Sequence, residues 1–227
     1  MIGAAALGIW IDVDADALDD FNAWYREQHI PERLGVPGFL RGRRYEATGA
    51  SPAYFTLYET ESAAVLSSAA YLARLNAPTD WTRRVLPAMR TMIRNAYRLL
   101  TSSPEPAPAA TRLLTARVQP HSGRGPYVRT WLANDAATTV GALDGVAGVG
   151  VYESDTSGTS VITEERKLVG ADVKAAPPFL VLCELHPGAD ASAIQTFWQS
   201  WATKIAAEVT PDEYRLLYGR TAGGDHL

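Results

Sequence analysis

The run Trp24-Tyr25-Arg26-Glu27-Gln28-His29-Ile30-Pro31-Glu32-Arg33 gathers more chemistry-bearing side chains than any other stretch of the chain. Its histidine can take or give a proton, because imidazole titrates closer to neutrality than any other unperturbed side chain. A proline disfavours helical geometry at the preceding residue and removes a backbone donor. Pro31 therefore predicts a helix that breaks or distorts just after His29 and leaves that residue at a helix C-terminus. Such a position raises a histidine pKa and burial lowers it, so titration near neutrality is expected. A second group lies a few residues on. Strand alternation puts Phe39, Arg41, Arg43 and Tyr45 on one face and Leu40, Gly42, Arg44 and Glu46 on the other. An arginine fork on either face suits a carboxylate or a developing enolate.

Other chemistries lack their residues. The remaining histidines, His121, His186 and His226, show no H-x-x-x-H or H-E-x-x-H spacing, and there is one cysteine, so a zinc site is not expected. There is no P-loop and no G-x-S-x-G elbow. Gly145, Gly148 and Gly150 read as a turn and close strand packing rather than a phosphate cradle. Cys183 lies in an apolar run and reads as a buried small hydrophobe.

The elements that must position these groups come as two copies. Trp24, Gly38, Tyr45 and Glu46 recur as Trp131, Gly145, Tyr152 and Glu153, each 107 positions later. Tyr97-Arg98-Leu99-Leu100 recurs as Tyr214-Arg215-Leu216-Leu217, and Glu59 and Glu184 end corresponding apolar strands. Between the copies, residues 102–110 carry three alternating prolines and predict a semi-extended linker. The division is 1–101, a linker 102–110, and 111–227. Periodicity predicts in the first copy strands at 5–13, 39–47, 53–59 and 93–100, with helices at 18–28, 62–75 and 80–91. In the second it predicts strands near 113–118, 146–153, 179–185 and 214–219, and helices near 128–143 and 189–208. An insertion at 154–176 has a turn of helix at 164–168. Strand–helix–strand–strand–helix–strand is the ferredoxin-like order. The expected fold is α+β: two tandem ferredoxin-like repeats packed sheet on sheet as an intramolecular α+β barrel.

Residues shared by both copies serve the fold they share, and residues found in one copy are better candidates for function. His29 falls opposite Ala136, Pro31 opposite Thr138 and Arg43 opposite Gly150, while Tyr54 and Tyr58 fall opposite Phe179 and Cys183. The polar groups concentrate in the first copy. Arg43 is favoured over Arg44 because its counterpart is glycine.

Composition bounds the partners. The 227 residues are 47% hydrophobic and 20% charged, enough for a real core. A net charge of −4 with no basic block argues against nucleic acid and anionic membrane surfaces. No run approaches the roughly 18 apolar residues of a membrane span. The apolar N-terminus has no positive leader and alternates like a strand. A lone cysteine points to a reducing compartment and a cytoplasmic location.

The motif Trp-Tyr-x-x-x-His-Ile-Pro-Glu-Arg-Leu from Trp24 to Leu34, then Pro37-Gly38-Phe39 and the strand Arg41-x-Arg43-Arg44-Tyr45, resembles the EthD-like group of the dimeric α+β barrel superfamily. Pro78-Thr79-x-Trp81-Thr82 resembles it too. The likeness covers about residues 5–100; the second copy enters through the repeat. It implies a pocket for a small organic molecule between sheet and helices, with His29 as acid–base. The expected activity is a cofactor-independent lyase or isomerase on a small aromatic or unsaturated carbonyl or carboxylate compound. His29 and Arg43 would be catalytic, Tyr25, Tyr54, Tyr58 and Trp81 would line the pocket, and no cofactor or metal is needed. The alternatives are a non-catalytic small-molecule or oxygenase-accessory barrel, and a haem protein with His29 as axial ligand. With the pair of repeats in one chain, a monomer or a homodimer of pseudo-dimeric chains is expected.

Overall fold

The computed structural model describes residues 1–49, 52–103, 111–155 and 161–227. The first half supplies strands β1 (Ala5–Val13), β2 (Phe39–Ala47), β3 (Tyr54–Thr60) and β4 (Met89–Ser102), in the spatial order β4-β1-β3-β2. The second supplies β5 (Arg112–Pro120), β6 (Val146–Ser154), β8 (Phe179–Leu185) and β9 (Ala207–Thr221), in the order β9-β5-β8-β6. A short β7 (Val173–Ala175), from the insertion, runs parallel to β4. The two sheets do more than stack: β2 pairs with β9 and β4 with β6, both antiparallel. The result is one closed eight-stranded antiparallel barrel with β7 added outside. Closure satisfies the edge groups that two separate four-stranded sheets would expose.

Alternation divides the side chains between two environments. Trp10, Tyr45, Phe55, Leu57, Tyr97, Tyr152, Leu180, Leu182 and Tyr214 fill the barrel interior. Leu7, Ile9, Tyr54 and Tyr58 face outward under the helices of the first half, and Val149, Val151, Val181 and Cys183 do so in the second. One register differs from simple alternation. A bulge between Phe39 and Arg41 turns Phe39 outward, while Arg41 and Arg43 stay buried on the barrel's inner side. The shared glycines Gly38 and Gly145 have φ of +92° and +84°, at the turns that lead into β2 and β6.

Helix bounds differ from the periodicity reading: extended Ser68 breaks the expected 62–75 helix, 128–143 divides at Asp135, and 189–208 ends at Ile205 because 207–208 belong to β9. The first helix does not stop after His29. It runs as α1 (Leu18–Trp24), a π-helical turn Tyr25–His29, and α2 (Ile30–Leu34), ending at Gly35. The wider π turn absorbs the proline without ending the helix. Residues 89–91 belong to β4, because the helical segment α4 (Asp80–Val85) closes in a tight turn containing Pro87. The remaining helices are α3 (Ala69–Leu75), α5 (Gly125–Asn134), α6 (Ala136–Gly141), α7 (Glu164–Leu168) and α8 (Ser192–Ile205). Ser102 is the last residue of β4; residues 104–110 of the expected linker lie outside the described residues. No helix among the described residues is long and apolar enough to cross a membrane.

Candidate functional site

A cavity of about 140 Å³ lies between the outer face of the first half's sheet and its helices. Leu7, Ile9, Leu66, Leu72, Leu75, Leu86 and Val169 give it apolar walls. His29, Arg33, Tyr58, Tyr71, Arg94, Glu165 and Arg166 bring polar groups to it. The volume is close to the ~150 Å³ that holds one benzene ring in an engineered core.

His29 is placed by packing rather than by hydrogen bonds. Its ring lies on the face of Trp24, with centroids 4.1 Å apart, and meets Tyr25 edge-on at 5.0 Å. Trp24 is itself fixed, because its indole N–H donates to Thr82 Oγ1 at 3.1 Å. Gln28 donates to Thr79 Oγ1 at 2.6 Å, which ties the π turn to the N-cap of α4. Gly42 lets this helix approach the sheet. A Cβ there would stand 3.0 Å from Ile30 Cγ2 and 3.1 Å from the Tyr58 ring.

His29 is 7% exposed, and its Nδ1 is buried with no hydrogen-bond partner. Burial first, then the charges of Arg33 and Arg44, push its pKa well below the ordinary 6.5. The expectation of titration near neutrality is corrected: the helix continues, so no C-terminal dipole offsets desolvation, and the imidazole is neutral at pH 7. The unfolded chain protonates this histidine near 6.5, whereas the folded chain resists. Stability is therefore present above pH 6.5 and declines as pH falls toward the lower folded value, by up to about 1.4 kcal/mol per pH unit. His29→Gln is expected to remove that part of the dependence. Urea midpoints of the two proteins between about pH 7.5 and 5 test this; parallel curves would mean a hydrated imidazole.

Arg33, one turn beyond His29, is 2% exposed. Its Nη2 donates to both carboxylate oxygens of Glu165, at 2.5 and 2.6 Å, while its Nη1 is buried without a partner. Burial is the largest influence and works against its charge, but Glu165 together with Tyr71 and Tyr58 outweighs it and raises the pKa. Glu165 comes from α7, so the second half's insertion closes the first half's cavity. Tyr58 reaches the same space with its hydroxyl also unpartnered, and burial pushes its pKa well above 10. Three of the residues lining the cavity thus have incomplete hydrogen bonding. Buried polar groups are almost always satisfied, so each exception calls for an explanation, such as a catalytic role or a bound water or ion.

The structure places the other expected site residues as follows. Tyr25 is buried against His29 and against the Arg44 guanidinium, 4.1 Å from its ring centre. Tyr54 also packs on Arg44, at 4.6 Å, and does not line the cavity. Trp81 packs behind α1, its N–H donating to Asp20 at 2.9 Å, also away from the cavity. Arg43 is not brought to His29. It lies on the barrel's inner side, with Nη1 2.6 Å from Glu184 and Nη2 3.2 Å from Glu59. Its glycine counterpart Gly150 reflects space taken by Met1, whose Cγ would lie 2.5 Å from an added Cβ. Arg44, on the outer face, is the strand arginine nearer the histidine, and its charge helps lower the histidine's pKa.

Arg33 and Glu165, which line the cavity, are not among the residues expected from the sequence, and Arg44 is the alternative set aside there for Arg43. The repeat carried a signal for the two arginines. Their counterparts 107 positions on are Val140 and Val151, both in the second half's apolar core beside Leu132, Ala136, Phe179 and Cys183. Where the first half has a polar cavity, the second has a filled core. Among the described residues no cluster of three or more His, Cys, Asp or Glu could hold a metal ion.

A haem fits this space poorly. A porphyrin spans four pyrrole rings, and the cavity suits one.

No protein-family model matches the chain, and no curated protein matches it. Solved structures share its fold at low identity. An anthrone oxidase-like protein superposes with a TM-score of 0.59 at 11% identity, covering 96% of this chain and 93% of its own. A provisional monooxygenase of Fusobacterium nucleatum subsp. nucleatum also gives 0.59 at 11%, covering 100% and 99%. A haem-binding protein of Thermus thermophilus gives 0.51 at 12%, covering 95% and 91%. These likenesses establish an α+β barrel architecture, and with it the fold expected from the sequence.

Proposed function

We propose that the chain binds a small aromatic or unsaturated carbonyl compound in the first half's cavity and moves a proton on it with His29. The observation that carries this reading is that His29, Arg33 and Tyr58, each with a buried polar atom that lacks a partner, line one ring-sized cavity. Arg33 Nη1 and Tyr58 are donors suited to a carbonyl, phenolic or enolate oxygen. A neutral imidazole is the form that accepts a proton, and a developing oxyanion near Arg33 and Tyr58 would be stabilised where water is excluded. Cofactor-free lyase or isomerase chemistry follows if the enolate is reprotonated or expels a group. The EthD-like resemblance supports a chemistry of this kind. Structural neighbours described as anthrone oxidase-like and monooxygenase favour a second reading, in which the barrel serves oxygenation of such a compound.

Titration of the purified chain with phenols and enolisable aryl ketones, followed by turnover assays under air and under argon, separates the readings. Binding with turnover in both atmospheres is the expected result. Turnover lost under argon would favour oxygenation, and binding without turnover a carrier. No binding of any such compound would sink the proposal.

A further inference from the structure

We infer that the cavity's other arginines, Arg94 of β4 and Arg166 of α7, form an anion subsite that selects a ring compound bearing a carboxylate away from its reacting oxygen. This rests on the ring-binding reading above. The charge balance of the cavity carries it. Arg33, Arg94 and Arg166 all line the space, and Glu165 is the one carboxylate lining it among the described residues. Glu165 is engaged by Arg33. Neither Arg94 nor Arg166 has an ion pair among the described residues, and Arg166 Nη1 is buried without a hydrogen-bond partner. Desolvation and the charge of Arg94 both work against the Arg166 cation, while Asp172 only partly relieves it. Two guanidiniums held this way are completed by a planar two-oxygen acid, which accepts from both forks. Arg33 is already bound to Glu165, so a ligand carboxylate is better matched at Arg94 and Arg166, leaving a neutral oxygen for Arg33 Nη1 and Tyr58. The subsite joins the two halves of the chain, which gives the 154–176 insertion a role in choosing the substrate.

The test compares 3-(4-hydroxyphenyl)propanoate with its amide by calorimetric titration of the full chain. The acid is expected to bind about 10-fold tighter or more, a preference worth about 1.4 kcal/mol. Arg94→Gln and Arg166→Gln should each reduce that preference to within about 3-fold, and a parental thermal melt reports that the variants fold. Acid and amide binding equally would overturn the subsite and leave the ring site standing. A preference that survives the double variant would also overturn it, because the carboxylate would then sit elsewhere. Binding of neither probe would overturn the ring site and the subsite together.

Discussion

His29→Gln is expected to lower turnover of the cavity's substrate by roughly 100-fold or more while leaving its affinity within about 3-fold. Glutamine keeps a hydrogen-bonding side chain of similar reach but cannot accept a proton. A loss in kcat with KM retained identifies a group that acts on the reacting atoms, whereas a loss in KM alone would make His29 a wall of the cavity. The pH profile sharpens the result. Burial and the nearby arginines hold the imidazole neutral well below pH 6.5, so the base form persists as pH falls through 6.5. The acid limb of kcat/KM should therefore lie below the ordinary histidine range. It should disappear, not move, in His29→Gln. Full activity in the variant would end the proton-transfer reading and shift attention to Arg33 and Tyr58 as donors to a ligand that reacts by itself.

The architecture was legible because it was written twice. Tyr97-Arg98-Leu99-Leu100 and its copy at 214–217 mark the last strand of each half, and Gly38 and Gly145 mark equivalent turns with positive φ. Closure into a single barrel was less legible, because a pattern of alternation reports which face a residue takes, not which edges meet. The site was half legible. His29 and Tyr58 were found because their counterparts, Ala136 and Cys183, are not polar aromatics. Arg33 carries the same signal, with Val140 opposite it, but the helix end expected at Pro31 would have placed it beyond the helix that holds His29. Glu165 could not be found this way, because an insertion has no counterpart. The preference for Arg43 over Arg44 failed for a physical reason. A glycine in the other copy marked a space shared with Met1 on the barrel's inner side, not a lost ligand.

Arg43→Met should therefore damage stability rather than chemistry. The barrel brings Glu59 and Glu184, equivalent residues of the two halves, to the same pair of arginines. Arg41 Nε lies 2.5 Å from Glu59, and Arg43 reaches both carboxylates. All four side chains are buried. Burial alone would raise the Glu59 pKa, but Arg43, Arg41 and the backbone N–H of Ile2 outweigh it and hold the carboxyl at about 2. Removing Arg43 leaves two buried carboxylates against one arginine. Breaking a buried pair from one side costs about 3–5 kcal/mol, which for a chain of this size lowers Tm by on the order of 10 °C. The pH dependence follows from the same group. With a folded pKa of about 2 against an ordinary 4.5, its stabilisation is present above pH 4.5 and lost as pH falls toward 2. In Arg43→Met the Glu59 pKa rises, so that the loss begins at higher pH and acid unfolding moves toward neutrality. Ligand affinity at a temperature where the variant is folded should match the parent, because Arg43 lies across the sheet from the cavity. A variant that melts like the parent but no longer binds ligand would reverse this assignment and return Arg43 to the site.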